Sequence, residues 1–203
     1  MLFLAAAALS QQPNVQQLDQ ALGALARPWA EALPALNLVW ILGAFPVTLA
    51  LVLAAAGATG RARPLVVFLL GTGIEVILKH TLATPTPLVV PPPPPWAGWI
   101  HALNLTPQAL LALLPHRLTV SSSPLAHALR GSFPSGHVFR LTCAVGALAP
   151  RRRSLRWGVA LAAALAVTAT GGHWAWDALG GWLLAELAQA VSPQSSGHPA
   201  RQR

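Results

Sequence analysis

The sequence predicts an all-α, polytopic membrane helix bundle of about five transmembrane helices, with short amphipathic interfacial helices beside them. Three observations carry this. Of 203 residues, 54% are hydrophobic and only 9% charged, a balance that belongs to membrane proteins. Several apolar runs approach the ~20 residues needed to cross a hydrocarbon core. The arginines cluster in short segments between those runs, so the formal net charge of +8 reflects membrane topology and no nucleic-acid partner is expected. The lone cysteine, Cys143, sits inside an apolar run, which rules out an intrachain disulfide.

Three units follow: an N-terminal interfacial or signal-like segment (1–34), a helical membrane domain (35–191) with an extracytoplasmic loop at 81–133, and a disordered cytoplasmic tail (192–203). Residues 1–9 are apolar but too short to span and lack a basic start, so a clipped signal peptide, an interfacial segment and the remnant of a longer start all fit. Val15, Leu18, Leu22 and Leu25 recur at helical spacing. They suit a helix on a membrane surface and equally one packed on the protein itself.

The first span covers 35–57, with Pro46 placed to kink it, and Arg61 and Arg63 follow. A second covers 64–80. Its Glu75 and Lys79 stand one turn apart on a shared face, where they can pair. Ionisable groups in a span usually face the bundle interior, which makes the pair a site candidate as well as a structural ion pair. Lys79 is the only lysine among thirteen basic residues.

In the loop, the prolines at 85, 87 and 91–95 predict stiff extended chain, Trp96 and Trp99 suit a headgroup layer, and 107–114 reads as one short amphipathic helix. His101, His116 and His127 have no metal-ligand spacing and read as surface residues. A third span runs over 134–150 and a fourth, rich in alanine, over 157–170. After a tight turn at 171–177 the last span continues to about residue 191. Alternating spans put Arg61, Arg63, Arg151–Arg153, Arg156, Arg201 and Arg203 on one side, the cytoplasmic one. Lys79, residues 134–137 and His173 then share the opposite face.

Those shared features make a chemistry. Pro134-Ser135-Gly136-His137 closes a polar loop and opens an apolar run. A helix starting there aims unpaired N–H groups outward, Gly136 bars no close approach, and Ser135 can cap or donate, as at an anion site. An ordinary loop-to-helix junction has the same composition. His173 and Asp177 are four residues apart, so the carboxylate can hold the imidazole in one tautomer if the last helix starts near His173, or can simply cap that helix. A histidine so held can attack or accept a proton while His137 protonates a leaving oxygen, with Lys79, Ser135 and Gly136 on the phosphate.

Together these residues resemble the type 2 phosphatidic acid phosphatase superfamily. That family's first motif is a lysine followed by a stretch ending in Arg-Pro; here Lys79 leads to Thr86-Pro87. Its second, Pro-Ser-Gly-His, is intact at 134–137. Its third is Ser-Arg, five residues, His, three residues, Asp; here Ala166-Val167 precede His173 and Asp177. The resemblance, over roughly 35–190, implies a membrane phosphatase in which His173 is the nucleophile, Asp177 orients it and His137 is the general acid. Lys79, Ser135 and Gly136 would bind phosphate, and neither metal nor cofactor is implied. Substrates in the family are typically lipid phosphates such as phosphatidic acid or undecaprenyl pyrophosphate. The expected setting is a bacterial cytoplasmic (inner) membrane, active-site face extracytoplasmic, with membrane lipids as partners and oligomeric state undetermined.

Both family arginines are replaced, by Thr86 and Val167, and neither can supply a bidentate cation. Arg140, three residues beyond His137, leans back along its helix toward the same spot. An arginine that deep costs ~2.5–3.5 kcal/mol on insertion scales, so it needs a purpose or a partner. It can replace the missing charge, with Arg130 from the loop as a further candidate, or it can pair with Glu75 or Glu186. A catalytically impaired member that binds or translocates phospholipids, or scaffolds membrane partners, is the alternative to an active enzyme.

Overall fold

The computed structural model describes residues 1–82, 84 and 131–191. Every regular element among them is helical: α1 (Leu2–Leu9), α2 (Pro13–Ala32), a 3-10 turn (Pro34–Asn37), α3 (Leu38–Leu42), α4 (Phe45–Thr59), α5 (Arg63–Leu82), α6 (Gly136–Leu148), α7 (Arg153–Ala169) and α8 (Ala175–Val191). The expectations for Arg130, Thr86, the proline run, the three loop histidines and the tail lie outside the described residues.

α6 is the hub. It packs against α3, α4, α5, α7 and α8, and Gly136, His137, Val138, Phe139, Thr142, Cys143, Ala144 and Gly146 are all buried along it. One cluster joins Phe139, Cys143 and Ala144 to Val52, Phe68, Leu184 and Ala185. A second joins Val138 to Val39, Ala163, Ala166, Val167 and Ala178. The alanines of α7 let it approach α6 closely, as their small size predicts, while Leu161 and Leu165 on its other face are exposed.

The expected first span is broken, and not by a kink at Pro46. The chain interrupts at Gly43-Ala44, and Pro46 falls in the first turn of a new helix, α4. Proline suits that place because its missing N–H has no intrahelical partner there. Gly43 has its own reason: a Cβ would lie 3.0 Å from the His137 side chain and 2.9 Å from the Val39 carbonyl. The other expected spans shift by a few residues. α6 opens at Gly136 after Ser135, which is extended, and α7 starts at Arg153, so that Arg156 lies within it and pairs with Glu186 of α8. Among the described residues α5, with 20 residues, is the one helix long and apolar enough to cross a membrane; α4 and α6 are apolar but shorter.

The N-terminal segment packs onto the bundle, α1 against α8 and α2 against α7 and α8. α2 turns its apolar stripe outward: Leu18, Leu22, Leu25 and Trp29 are exposed, and Asp19 is buried. The ends of the long loop are tied together. Ser132 N–H donates to the Thr84 carbonyl (3.0 Å) and Phe133 N–H to Thr84 Oγ1 (3.1 Å).

Candidate active site

The end of α5, the start of α6 and the α7–α8 turn meet at one end of the bundle. α6 begins at Gly136 with Ser135 as its N-cap residue, which makes no side-chain cap bond. Instead Ser135 N–H donates to the Asp177 carbonyl (2.8 Å), fastening the start of α6 to the first turn of α8.

α8 starts at Ala175, two residues later than a stacked His173–Asp177 pair requires, so His173 precedes the helix. The two still meet: His173 Nδ1 lies 3.5 Å from Asp177 Oδ2, an ion-pair separation longer than a good hydrogen bond. The same Oδ2 accepts the Trp174 N–H at 2.9 Å, reaching back over the helix start as the third residue of a capping box does. One carboxylate oxygen thus caps α8 and is the acid atom facing the imidazole.

His137 is buried 6.3 Å from His173, ring centroid to centroid. Trp40, on α3, touches both: its ring meets His137 edge-on at 4.6 Å and stacks over His173 at 6.2 Å. Its Nε1–H donates to Thr170 Oγ1 (3.2 Å), which fixes the indole. Among the described residues, Ser135 Oγ, His137 Nε2, His173 Nδ1 and Asp177 Oδ1 are buried without a hydrogen-bond partner. Unsatisfied buried polar atoms are costly, and four in one place mark a site that a polar ligand can complete.

The cations stand beside this set. Lys79 Nζ lies 3.1 Å from Glu75 Oε1, the predicted i,i+4 pair. Arg140 resolves toward Glu75: its Nη1 lies 2.9 Å from Glu75 Oε2, and its Nε donates to the Gly43 carbonyl (3.1 Å). Glu186 is taken by Arg156 through Nε (2.8 Å) and Nη2 (3.0 Å). A Cβ on Gly136 would collide with both the Glu75 carboxylate and the Arg140 guanidinium, so these groups lie directly against the tip of α6. Lys79, Arg140 and His173 are all within electrostatic reach of His137. The structure therefore brings Lys79, Ser135, Gly136, His137, Arg140, His173 and Asp177 to one end of the bundle, with Lys79 and Arg140 held there through Glu75.

The sequence itself matches a known family. The chain fits the model of the PAP2 superfamily over residues 37–197. It belongs to that family. No curated protein and no solved structure matches it. PAP2 superfamily members are generally phosphatases acting on phosphate esters. Within the PAP2 pattern, Val167 at the third-motif arginine position is fully buried in the α6–α7 core and offers no charge.

Two neighbours of the site carried no sequence signal. Trp40 comes from the interrupted first span. Asp19 comes from α2 and is 2% exposed, with the N–H groups of Trp176 and Ala175 at the start of α8 directed at its carboxyl group. Burial first, and then the like charge of Asp177, outweigh those donors and push its pKa up to about 6.

Proposed function

We propose that this PAP2 superfamily chain is a membrane phosphatase that hydrolyses a lipid phosphate or pyrophosphate, of the phosphatidic acid or undecaprenyl pyrophosphate type, through a phosphohistidine at the extracytoplasmic face. The observation carrying the reading is the imidazole–carboxylate couple, His173–Asp177, beside a second buried imidazole and two cations.

His173 turns Nδ1 toward Asp177, so Nε2 is the atom that attacks phosphorus. As the Nε2–P bond forms and the P–O bond breaks, His137, which takes up a proton when the anionic substrate binds beside it, gives that proton to the departing oxygen. Neutral His137 then takes a proton from water, whose oxygen attacks phosphorus, breaks the N–P bond and releases phosphate. Asp177 stabilises the cationic imidazole throughout. Lys79, Arg140 and the N–H groups at Gly136 hold the phosphoryl oxygens, with Arg130 as a further candidate from the loop.

Membrane residence is supported by α5 and by the apolar side chains turned outward on it, among them Leu69, Leu70 and Ile77. On this reading about five spans, within 35–191, lie in a bacterial cytoplasmic membrane, and the exposed stripe of α2 lies at its surface. The second reading, a non-catalytic lipid binder, is favoured by one observation: Arg140, the one candidate replacement among the described residues for the absent arginines, is already paired with Glu75.

Phosphate release from a panel of lipid phosphates by detergent-purified protein tests the choice, with His173→Ala as control. The phosphatase reading expects release in wild type and none in the variant. Equal traces from both would leave the binder.

A further inference from the structure

Glu75 is 2% exposed in the middle of a predominantly apolar helix. A carboxylate there is expensive unless it is paired. It is paired twice, with Lys79 at 3.1 Å and Arg140 at 2.9 Å, and it lies so close over Gly136 that a side chain there could not coexist with it. Two cations converging on an oxyanion that lies against the first residue of a helix is an arrangement that also suits a phosphoryl oxygen. Here the oxyanion belongs to the protein.

We infer that Glu75 is a specificity-determining residue: its carboxylate stands in the oxyanion position of the phosphoryl site, and a substrate enters only by displacing it. This inference rests on the phosphoryl-binding reading above. The displaced carboxylate remains close by, so Lys79, Arg140 and Glu75 together offer an incoming phosphate one net positive charge where the two cations alone would offer two. A small free anion must meet that competition with electrostatics alone. A lipid phosphate adds the burial of its apolar part, and binding energy remote from the reacting centre can drive the displacement. The site thereby discriminates against free phosphate, including its own product, in favour of phosphate attached to an apolar group.

The test is binding of inorganic orthovanadate and inorganic phosphate to detergent-purified full-length protein by titration calorimetry, comparing wild type with Glu75→Gln. The amide keeps the size and an acceptor for Lys79 and Arg140 while removing the competing charge. The dissociation constant for both anions should fall at least tenfold. An unchanged or larger constant overturns the inference, because Glu75 would then be only a strut for the two cations. Should Glu75→Gln fail to fold, Glu75→Asp keeps the charge and withdraws it by one methylene; tighter anion binding supports displacement and weaker binding overturns it. The phosphatase reading fails separately. Tighter anion binding by the variant without phosphate release from any lipid by wild type keeps the inference and removes the enzyme, whereas absence of vanadate binding in both proteins removes the inference whatever the turnover.

Discussion

Arg140 shows how one side chain can be read correctly for direction and incompletely for company. Its spacing from His137 and the backward lean of helical side chains point it at the tip of α6, and there it lies. That Glu75 and not Glu186 would share it required knowing that α5 runs alongside. If it bears on a phosphoryl group, Arg140→Ala should lower kcat/KM by about a hundredfold, on the order of 3 kcal/mol of transition-state stabilisation, as loss of a single oxyanion donor does. Arg140→Lys should restore the ion pair with Glu75 and thermal stability but only part of the rate, since an ammonium lacks the planar fork. Turnover unchanged in Arg140→Ala would reduce the residue to a counter-ion. The Lys79–Glu75 pair, by contrast, was fully legible, because i,i+4 spacing on one helix needs no tertiary knowledge. Trp40 was not: nothing local to it names the two imidazoles it touches, which lie 97 and 133 residues away in sequence.

At the scale of elements, the joint between α2 and α8 was the least visible in the sequence. The amphipathic spacing of α2 was clear, but hydrophobic periodicity suggests an inward apolar stripe on a soluble protein and an outward one in contact with lipid, and spacing alone does not choose. The buried acid decides which face meets the bundle. Asp19 sits against the start of α8, where a carboxylate is favoured by the helix dipole and opposed by burial and by Asp177. Its folded pKa of about 6 stands above the ordinary aspartate value of 3.8, so between those values the folded protein keeps a proton that the unfolded chain has lost. Its contribution to stability is therefore present in acid and disappears as pH rises through about 6. Asp19→Asn cannot ionise and keeps an acceptor for the two N–H groups. Its thermal midpoint relative to wild type should climb between about pH 4 and pH 7.5, and a constant difference over that range would show that Asp19 does not titrate there. Helix boundaries were less legible for a related reason. The break at Gly43-Ala44 answers to His137 on another helix, so Pro46, the obvious local breaker, became a starter.

For the whole molecule, arginine distribution was the basis for sidedness, and the three polar features assigned to one face do converge in space. What composition overstated was the length of the first and third spans: the first is broken at Gly43-Ala44, leaving α4 with 15 residues, and α6 has 13, whereas α5 runs to 20 and alone among the described helices reaches the span criterion. Orientation has a direct test. In a Cys143→Ala background, Thr81→Cys at the end of α5 and Ser154→Cys in the first turn of α7 place exposed thiols at opposite ends of the bundle. A membrane-impermeant maleimide applied to intact cells should label the first and spare the second. The reverse pattern, or equal labelling, would move the phosphoryl site to the other side.

The bonds from Thr84 to Ser132 and Phe133 mean that everything in between departs from and returns to a single point on the bundle. Such a handle separates two kinds of change. Lengthening, shortening or exchanging the intervening chain alters closure entropy only slowly with its length and leaves both anchor points where they are. The groups held on the helices can therefore stay fixed while the intervening chain is exchanged, and a transplanted loop that keeps Arg130 should leave the set of reacting groups untouched.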